Sequence, residues 1–433
     1  MAQYSPQQNL QFPSSPAPGF LLASQRTEST FEQIPVMSVS YAFGKGFMAS
    51  QELHSVLLFW SSSVMNPSEK LITDEFISSY LFLEYAMEIF DFKDATSQDP
   101  RARRELANLI RDACINVGFF YLKNHGIPEE LIENAVEAGK TFFALSEVEK
   151  MKLDIHKSPN FKGYTPLLGE NTNVEGLGDL HEGFDLGWEP EMRSSREKNS
   201  QSTTVPLRDD GVMAGENVWP DSGSLPEFRE AVLAYYHSAL RLGKLLFPLF
   251  ALALDLPETF FDDKTTKPAA IMRLLHYPPQ SPTKLDTQDD RQIGIGSHTD
   301  YECFTILWQD AAGGLQVQNP SGKWIDAVPI PGTVVVNLGD QLSRWTNDVF
   351  KSAVHRVINR SGLERYSIPL FFGSDYNVLL EVSEMNSSSR EPLLIWPPIP
   401  TCVSPGTPAK YQVVMAGEYV KSRLEATYAH SAN

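Results

Sequence analysis

From Ile293 to Phe372 the chain is written as short β-branched and aromatic runs cut apart by turn residues. Cys303–Trp308, Leu315–Val317, Val334–Leu338 and Arg365–Phe372 each have the length of a strand. Gly313-Gly314, Pro320-Ser321-Gly322 and Gly339-Asp340 stand between them. Short strands with regular turn signals close into antiparallel barrels and jelly rolls. The expected fold is therefore mainly β with flanking helices, built on a double-stranded β-helix (jelly-roll) core that Ile271–Leu275 enters.

Chemistry-bearing residues fall inside this stretch. His298 and Asp300 are two apart, so on one strand they share a face. His355 follows several strand-like runs later. Two imidazoles and one carboxylate make a facial triad, which leaves coordination positions open and suits iron(II), whereas a closed structural zinc site takes four protein ligands. On its own the tripeptide is weak: nine histidines in 433 residues give a chance His-x-Asp in roughly every second such chain. The context strengthens it. Arg365 opens the largely apolar run Arg365–Phe372, which ought to be buried, and a buried guanidinium needs an anionic partner. Ser367 shares its strand face and can add a hydroxyl to a carboxylate held by the guanidinium fork.

Taken with Leu315-Gln316-Val317, Trp324, Asn337-Leu338-Gly339-Asp340 and Trp345-Thr346-Asn347, the order and spacing of His298-Thr299-Asp300, His355-Arg356-Val357 and Arg365-Tyr366-Ser367 resemble the iron(II)/2-oxoglutarate-dependent dioxygenases of the isopenicillin N synthase-like group. The resemblance implies that His298, Asp300 and His355 hold Fe(II), that Arg365 and Ser367 bind the distal carboxylate of 2-oxoglutarate, and that O2 is the third reactant. It also implies that Tyr277, in Leu275-His276-Tyr277-Pro278-Pro279, helps hold that carboxylate; His276 stands where many relatives carry asparagine. Phe372-Gly373-Ser374-Asp375-Tyr376 looks like fungal members acting on small secondary metabolites, by hydroxylation, desaturation or ring rearrangement. Two rivals stand beside this reading. One is an oxidase with the same triad and no 2-oxoglutarate, as in isopenicillin N synthase; the other is a jelly-roll binding protein with no activity.

A formal net charge of −18 argues against nucleic acid and anionic membranes as partners, since both would be repelled. It also leaves a dianionic co-substrate in need of a local cation, the role given to Arg365. Three cysteines, Cys114, Cys303 and Cys402, make no disulfide framework and fit a reducing compartment. No charged start precedes an apolar core at Met1–Pro6, and no apolar stretch is long enough to span a bilayer, so the cytoplasm is the expected location.

Four regions are expected. Residues 1–86 read as a variable, partly disordered extension, its first thirty rich in Gln, Ser and Pro. Residues 87–265 read as a helical and strand region packing on the barrel, 266–400 as the barrel and 401–433 as a charged helical tail that could cover the site. Within 87–265, Leu106, Leu109, Ile110, Ala113 and Val117 predict a helix ended by Gly118, and 128–148 a second one. His125 and Cys114 are given structural roles. Phe161, Tyr164, Phe184 and Trp188 are expected to wall the substrate pocket and to favour an apolar or aromatic substrate. His181-Glu182 is set aside as a metal pair, because adjacent strand residues face opposite ways. Arg193–Gly215 reads as an exposed loop. Ser224-Leu225-Pro226-Glu227 predicts a capping box opening a long helix striped by Phe228, Val232, Tyr235, Ala239, Leu242, Leu246, Leu249 and Ala253, with a kink at Pro248.

Overall fold

Period-two alternation along the strands organises the molecule. In this computed structural model residues 87–172, 178–190, 213–280, 293–359, 361–380 and 399–428 are described, all within one unit that runs from Tyr80 to Asn433. The expected extension at 1–86 and most of the Arg193–Gly215 loop lie outside the described residues.

The chain enters through β1 (Ile89–Asp91) and helix α1 (Pro100–Asn116). Asp99 caps α1, its carboxylate accepting from the Arg101 N–H, with Pro100 in the first turn where its missing donor costs nothing. Strand β2 (Phe119–Lys123) follows, then the expected second helix, which is two: α2 (Glu129–Phe143) and the single turn α3 (Glu147–Lys150). Ser146 breaks them by capping the Glu149 N–H. His125 accepts from the Ile127 N–H and shapes the turn after β2, and Cys114 is buried in the core. Strands β3 (Gly163–Thr165) and β4 (Glu182–Leu186) come next. The long helix α4 spans Phe228–Ala253. Its capping box does not form: Asp221 takes the Ser224 and Leu225 N–H groups, and the helix starts later, at Phe228. Pro248 sits inside α4, which continues to Ala253.

The barrel strands are β5 (Ala270–Tyr277), β6 (Ile295–His298), β7 (Phe304–Gln309), β8 (Leu315–Gln318), β9 (Trp324–Asp326) and β10 (Thr333–Leu338). The short helix α5 (Asp340–Trp345), β11 (His355–Val357) and β12 (Arg365–Phe372) complete them. A small ribbon, β13 (Leu379–Leu380) with β14 (Val414–Met415), leads into the tail helix α6 (Ala416–Tyr428).

Eight strands form one sheet in the order β1-β2-β10-β7-β12-β5-β4-β3, and four form the other, β6-β11-β8-β9. Residues 87–265 thus do more than pack on the barrel: β1 to β4 are hydrogen-bonded into its larger sheet. Even-numbered residues of β5, β7, β10 and β12 (Met272, Leu274, Phe304, Ile306, Val334, Val336, Ile368, Leu370, Phe372) face the helical layer and join the main core. Odd-numbered ones face the four-stranded sheet. Helix α4 lies close on the outer face. A Cβ on Gly243 would stand 2.4 Å from the Phe372 ring, so glycine sets the spacing of helix and sheet. Phe247 and Phe250 then pack edge-on against Phe304.

Candidate metal and co-substrate site

The two sheets face each other over a cavity of about 110 Å³. His298 ends β6 and His355 opens β11, and the antiparallel register sets them directly opposite, with ring centroids 4.3 Å apart. Asp300 is not on the strand that the spacing suggested. β6 stops at His298, and Asp300 reaches the histidines from the following loop. Its Oδ1 lies 3.6 Å from His298 Nε2 and 3.5 Å from His355 Nε2. Among the described residues these three are the one His/Cys/Asp/Glu cluster whose ligand atoms could share an ion, all within 4.8 Å of one another. An ion bonded at about 2.1 Å to each ligand brings neighbouring ligand atoms to about 3 Å, so the spacing needs only a slight contraction.

The supporting groups leave the right atoms free. His298 Nδ1–H donates to the Gly296 carbonyl (2.8 Å) and His355 Nδ1–H to the Ala353 carbonyl (3.1 Å), which commits both Nε2 lone pairs to the centre. Asp300 Oδ2 accepts from Thr305 Oγ1 (2.5 Å) and Asn337 Nδ2 (2.7 Å), so Oδ1 remains. Burial opposes charge on Asp300, but the adjacent His355 and His298 outweigh it and hold the carboxyl well below its usual range. Gly339 lets the Asp300 loop approach β10: a Cβ there would meet the Glu302 carbonyl at 2.3 Å.

Farther along the same cavity lie Arg365, Ser367 and Tyr277. Arg365 is fully buried, and among the described residues no carboxylate pairs with it. Its Nε donates to the Gly313 carbonyl (2.5 Å), Nη1 to Ser367 Oγ (3.3 Å) and Nη2 to Gln309 Oε1 (3.3 Å), all neutral acceptors. The guanidinium carbon sits 4.5 Å from the Tyr277 ring centroid, opposite Arg365 in the β12–β5 register. A buried cation with only neutral partners fits a site built for an anionic ligand. His276, on the other face of β5, turns away. It hydrogen-bonds Glu182 (2.7 Å) and Glu364 and stacks on Tyr366.

The four aromatic pocket candidates do not line this cavity; none is among its described lining residues. Tyr164 and Phe184 are cross-strand partners on the outer face, packed with Phe142 in the helical core. Trp188 packs against that same core, and Phe161 stacks on Tyr428 of α6. The opposite face of β4 carries Asp185, which does line the cavity, with Glu170, Arg273, Tyr301 and the α6 residues Val420, Leu424 and Thr427. Arg273 carries the same signal as Arg365, an arginine inside an apolar strand (Ile271–Leu275). His181 and Glu182 join separate networks, His181 with Glu170 (2.9 Å) and Glu182 with Lys150 (2.6 Å).

A jelly-roll barrel that sets two imidazoles and one carboxylate on a common centre defines a mononuclear non-haem iron enzyme. Two family models match: the 2OG-Fe(II) oxygenase superfamily at residues 268–374, and the N-terminal model of non-haem dioxygenases in morphine synthesis at 87–222. The 2-oxoglutarate-Fe(II) type oxidoreductase hxnY of Emericella nidulans is 36% identical over 345 residues, covering 79% of this chain and 90% of the relative. The 2-oxoglutarate-dependent dioxygenase citB of Monascus ruber is 37% identical over 294 residues, covering 65% and 83%. Among solved structures, a full-length Neurospora crassa protein crystallised in complex with alpha-KG and thymine superposes with a TM-score of 0.64 at 27% identity, covering 78% of this chain and 96% of that one.

The chain belongs to the 2OG-Fe(II) oxygenase superfamily. It is a non-haem dioxygenase with Fe(II), 2-oxoglutarate and O2 as its cofactor set. Relatives named for 2-oxoglutarate-dependent oxidation stand against the inactive-binder and 2-oxoglutarate-independent readings. No helix among the described residues is long and apolar enough to cross a membrane.

Proposed function

We propose that this enzyme oxidises a small secondary metabolite, by hydroxylation, desaturation or ring rearrangement, with His298, Asp300 and His355 holding iron and Arg365, Ser367 and Tyr277 holding the distal carboxylate of 2-oxoglutarate. The observation that carries the assignment is the fully buried Arg365, without a carboxylate partner among the described residues, in the same cavity as the triad. Fungal relatives named for 2-oxoglutarate-dependent oxidation, and a relative crystallised with thymine, support a small-molecule substrate.

Bound together, iron(II), 2-oxoglutarate and dioxygen supply the oxidant that removes a hydrogen atom from the substrate, with succinate and carbon dioxide released. The protein's part is placement. Thr305 and Asn337 hold one Asp300 oxygen so that the other faces the ion. Gly296 and Ala353 carbonyls fix both imidazoles. Arg365 neutralises the far end of the dianion. Ile295, Leu275, Leu307, Leu315 and Val357 line the cavity between and exclude water. No general base is required for hydrogen-atom removal. A net charge of −18 argues against nucleic acid as a partner, and three free, buried cysteines support a cytoplasmic site of action. Both family models match from residue 87 onward, so a chain lacking residues 1–80 is expected to retain turnover.

The test is to load the protein with iron(II) without oxygen and titrate 2-oxoglutarate while following the visible iron-to-keto-acid band. A saturable band is expected in the native protein and none in Asp300→Ala. A chain that binds iron but forms no band refutes the co-substrate assignment.

A further inference from the structure

The end of the cavity lined by Glu170, Asp185 and Arg273 carries charges that the proposed chemistry does not use. Most are spent on one another. Arg273 places Nη2 2.9 Å from Glu170 Oε1 and Nε 2.8 Å from Asp185 Oδ1. The second Glu170 oxygen lies 2.9 Å from His181 Nε2, and His181 Nδ1 is 2.8 Å from the Gly294 carbonyl.

Asp185 differs. It is 4% exposed, and its Oδ2 is buried with no hydrogen-bond partner among the described residues. A buried acceptor left without a donor bears the whole cost of its desolvation. Odd-residue parity in β4 turns this side chain into the cavity, while Phe184 faces the core. Ile271, Phe371, Val420 and Leu424 form apolar wall beside it. With Asp185 ionised, one guanidinium answers two carboxylates here, and a third anion meets net repulsion. Burial, reinforced by Glu170 and opposed by Arg273, pushes the Asp185 carboxyl up to about 7, as expected for an acid held short of donors.

We propose that Asp185 determines substrate specificity: its free Oδ2 receives an N–H of a small neutral or basic nitrogen compound, such as a cyclic amide, whose apolar body rests on Ile271, Phe371 and Leu424, and the site rejects carboxylates. The inference rests on the reading above that the iron and 2-oxoglutarate occupy the other part of this cavity. Asp185 acts on orientation, and the reacting carbon is presented to the iron through it.

The experiment uses the full chain loaded with iron(II) and 2-oxoglutarate without oxygen. The probes are δ-valerolactam and 2-pyridone, their N-methyl derivatives, and benzoate, each titrated against the visible band. The N–H compounds are expected to shift the band saturably, the N-methyl compounds to bind about tenfold or more weakly, and benzoate to leave it unchanged; tenfold is the worth of one net hydrogen bond. Asp185→Asn brings each N–H compound and its N-methyl partner to within about twofold. The comparison in the native protein needs no variant, so a poorly folded Asp185→Asn leaves the inference testable. Equal binding of parent and N-methyl probes, stronger binding of benzoate, or no binding by any probe while the band itself forms overturns it. Failure of the band to form overturns the co-substrate reading instead.

Discussion

Replacing Arg365 with methionine separates two roles that a buried arginine can play. The side chain is fully buried and donates to Gly313, Ser367 and Gln309, with the Tyr277 ring 4.5 Å away. If it were there for stability, its loss would resemble the breaking of a buried ion pair, about 3–5 kcal/mol. Here no carboxylate among the described residues is left behind. The loss is one donor to each of three neutral acceptors, the Gly313 carbonyl, Ser367 Oγ and Gln309 Oε1, the latter two held only at 3.3 Å, and it is offset by removing a buried charge and filling the space with an apolar chain of similar length. Binding is another matter. Two charge-assisted hydrogen bonds to the 2-oxoglutarate carboxylate are worth about 1.5–3 kcal/mol each, or about 3–6 together, which is roughly 10²–10⁴ in affinity. Arg365→Met should therefore raise the 2-oxoglutarate dissociation constant at least about 100-fold, leave iron binding intact and change stability by no more than about 2 kcal/mol. Anaerobic titration of the visible band and thermal melting measure the two sides. A natively melting variant with affinity within about fivefold of the parent would falsify the assignment.

Asn337→Ala removes one of two donors to Asp300 Oδ2, and loss of such a supporting bond should weaken metal affinity by about 10–100-fold; competition with a chelator reads it, and an unchanged affinity would mean Thr305 alone suffices. Gly243→Ala drives a Cβ to 2.4 Å from the Phe372 ring and should cost about 1–3 kcal/mol in denaturant unfolding, a neutral result showing that helix α4 can shift outward freely. Burial alone would depress the His276 imidazole's pKa, but its hydrogen bonds to Glu182 and Glu364 outweigh that and raise it. A raised folded-state pKa contributes its full stability below the unfolded value of about 6.5 and loses it as pH climbs through the folded value. The melting difference between native protein and His276→Gln should accordingly be largest near pH 6 and shrink by pH 9; a difference that widens with pH contradicts the pairing.

Several elements were legible because they depend on neighbours along the chain. The apolar spacing from Leu106 to Val117 and the closing Gly118 announce α1, while the Asp99 and Pro100 start and the Ser146 break after α2 are local signals that the apolar spacing does not carry. The capping box at Ser224 was legible and misleading, since the Asp221 carbonyl accepts from the Ser224 N–H that the Glu227 side chain was expected to take. His298, His355, Arg365 and Ser367 were singled out by spacing and by a charge in an apolar strand, and the structure brings them to one cavity. The other end of the cavity was not legible. The larger sheet is covered on both faces, by helices on one and by the smaller sheet on the other, so apolar residues occur at both parities and an aromatic residue does not reveal which side it serves.

By itself, then, the sequence determined the strand-and-turn pattern and singled out the residues proposed for the metal and the anion, each a residue type in a local context, while the reaction class came from the family resemblance that these motifs carry. Tertiary structure alone decided that Asp300 reaches the two histidines from a loop. It also decided that Tyr164 and Phe184 support the core, and that Glu170, Asp185, Arg273 and the tail helix meet at one end of the cavity. These arrangements come from strand register and layer packing, which join segments as distant as Glu170 and Leu424 and leave no trace in either segment alone.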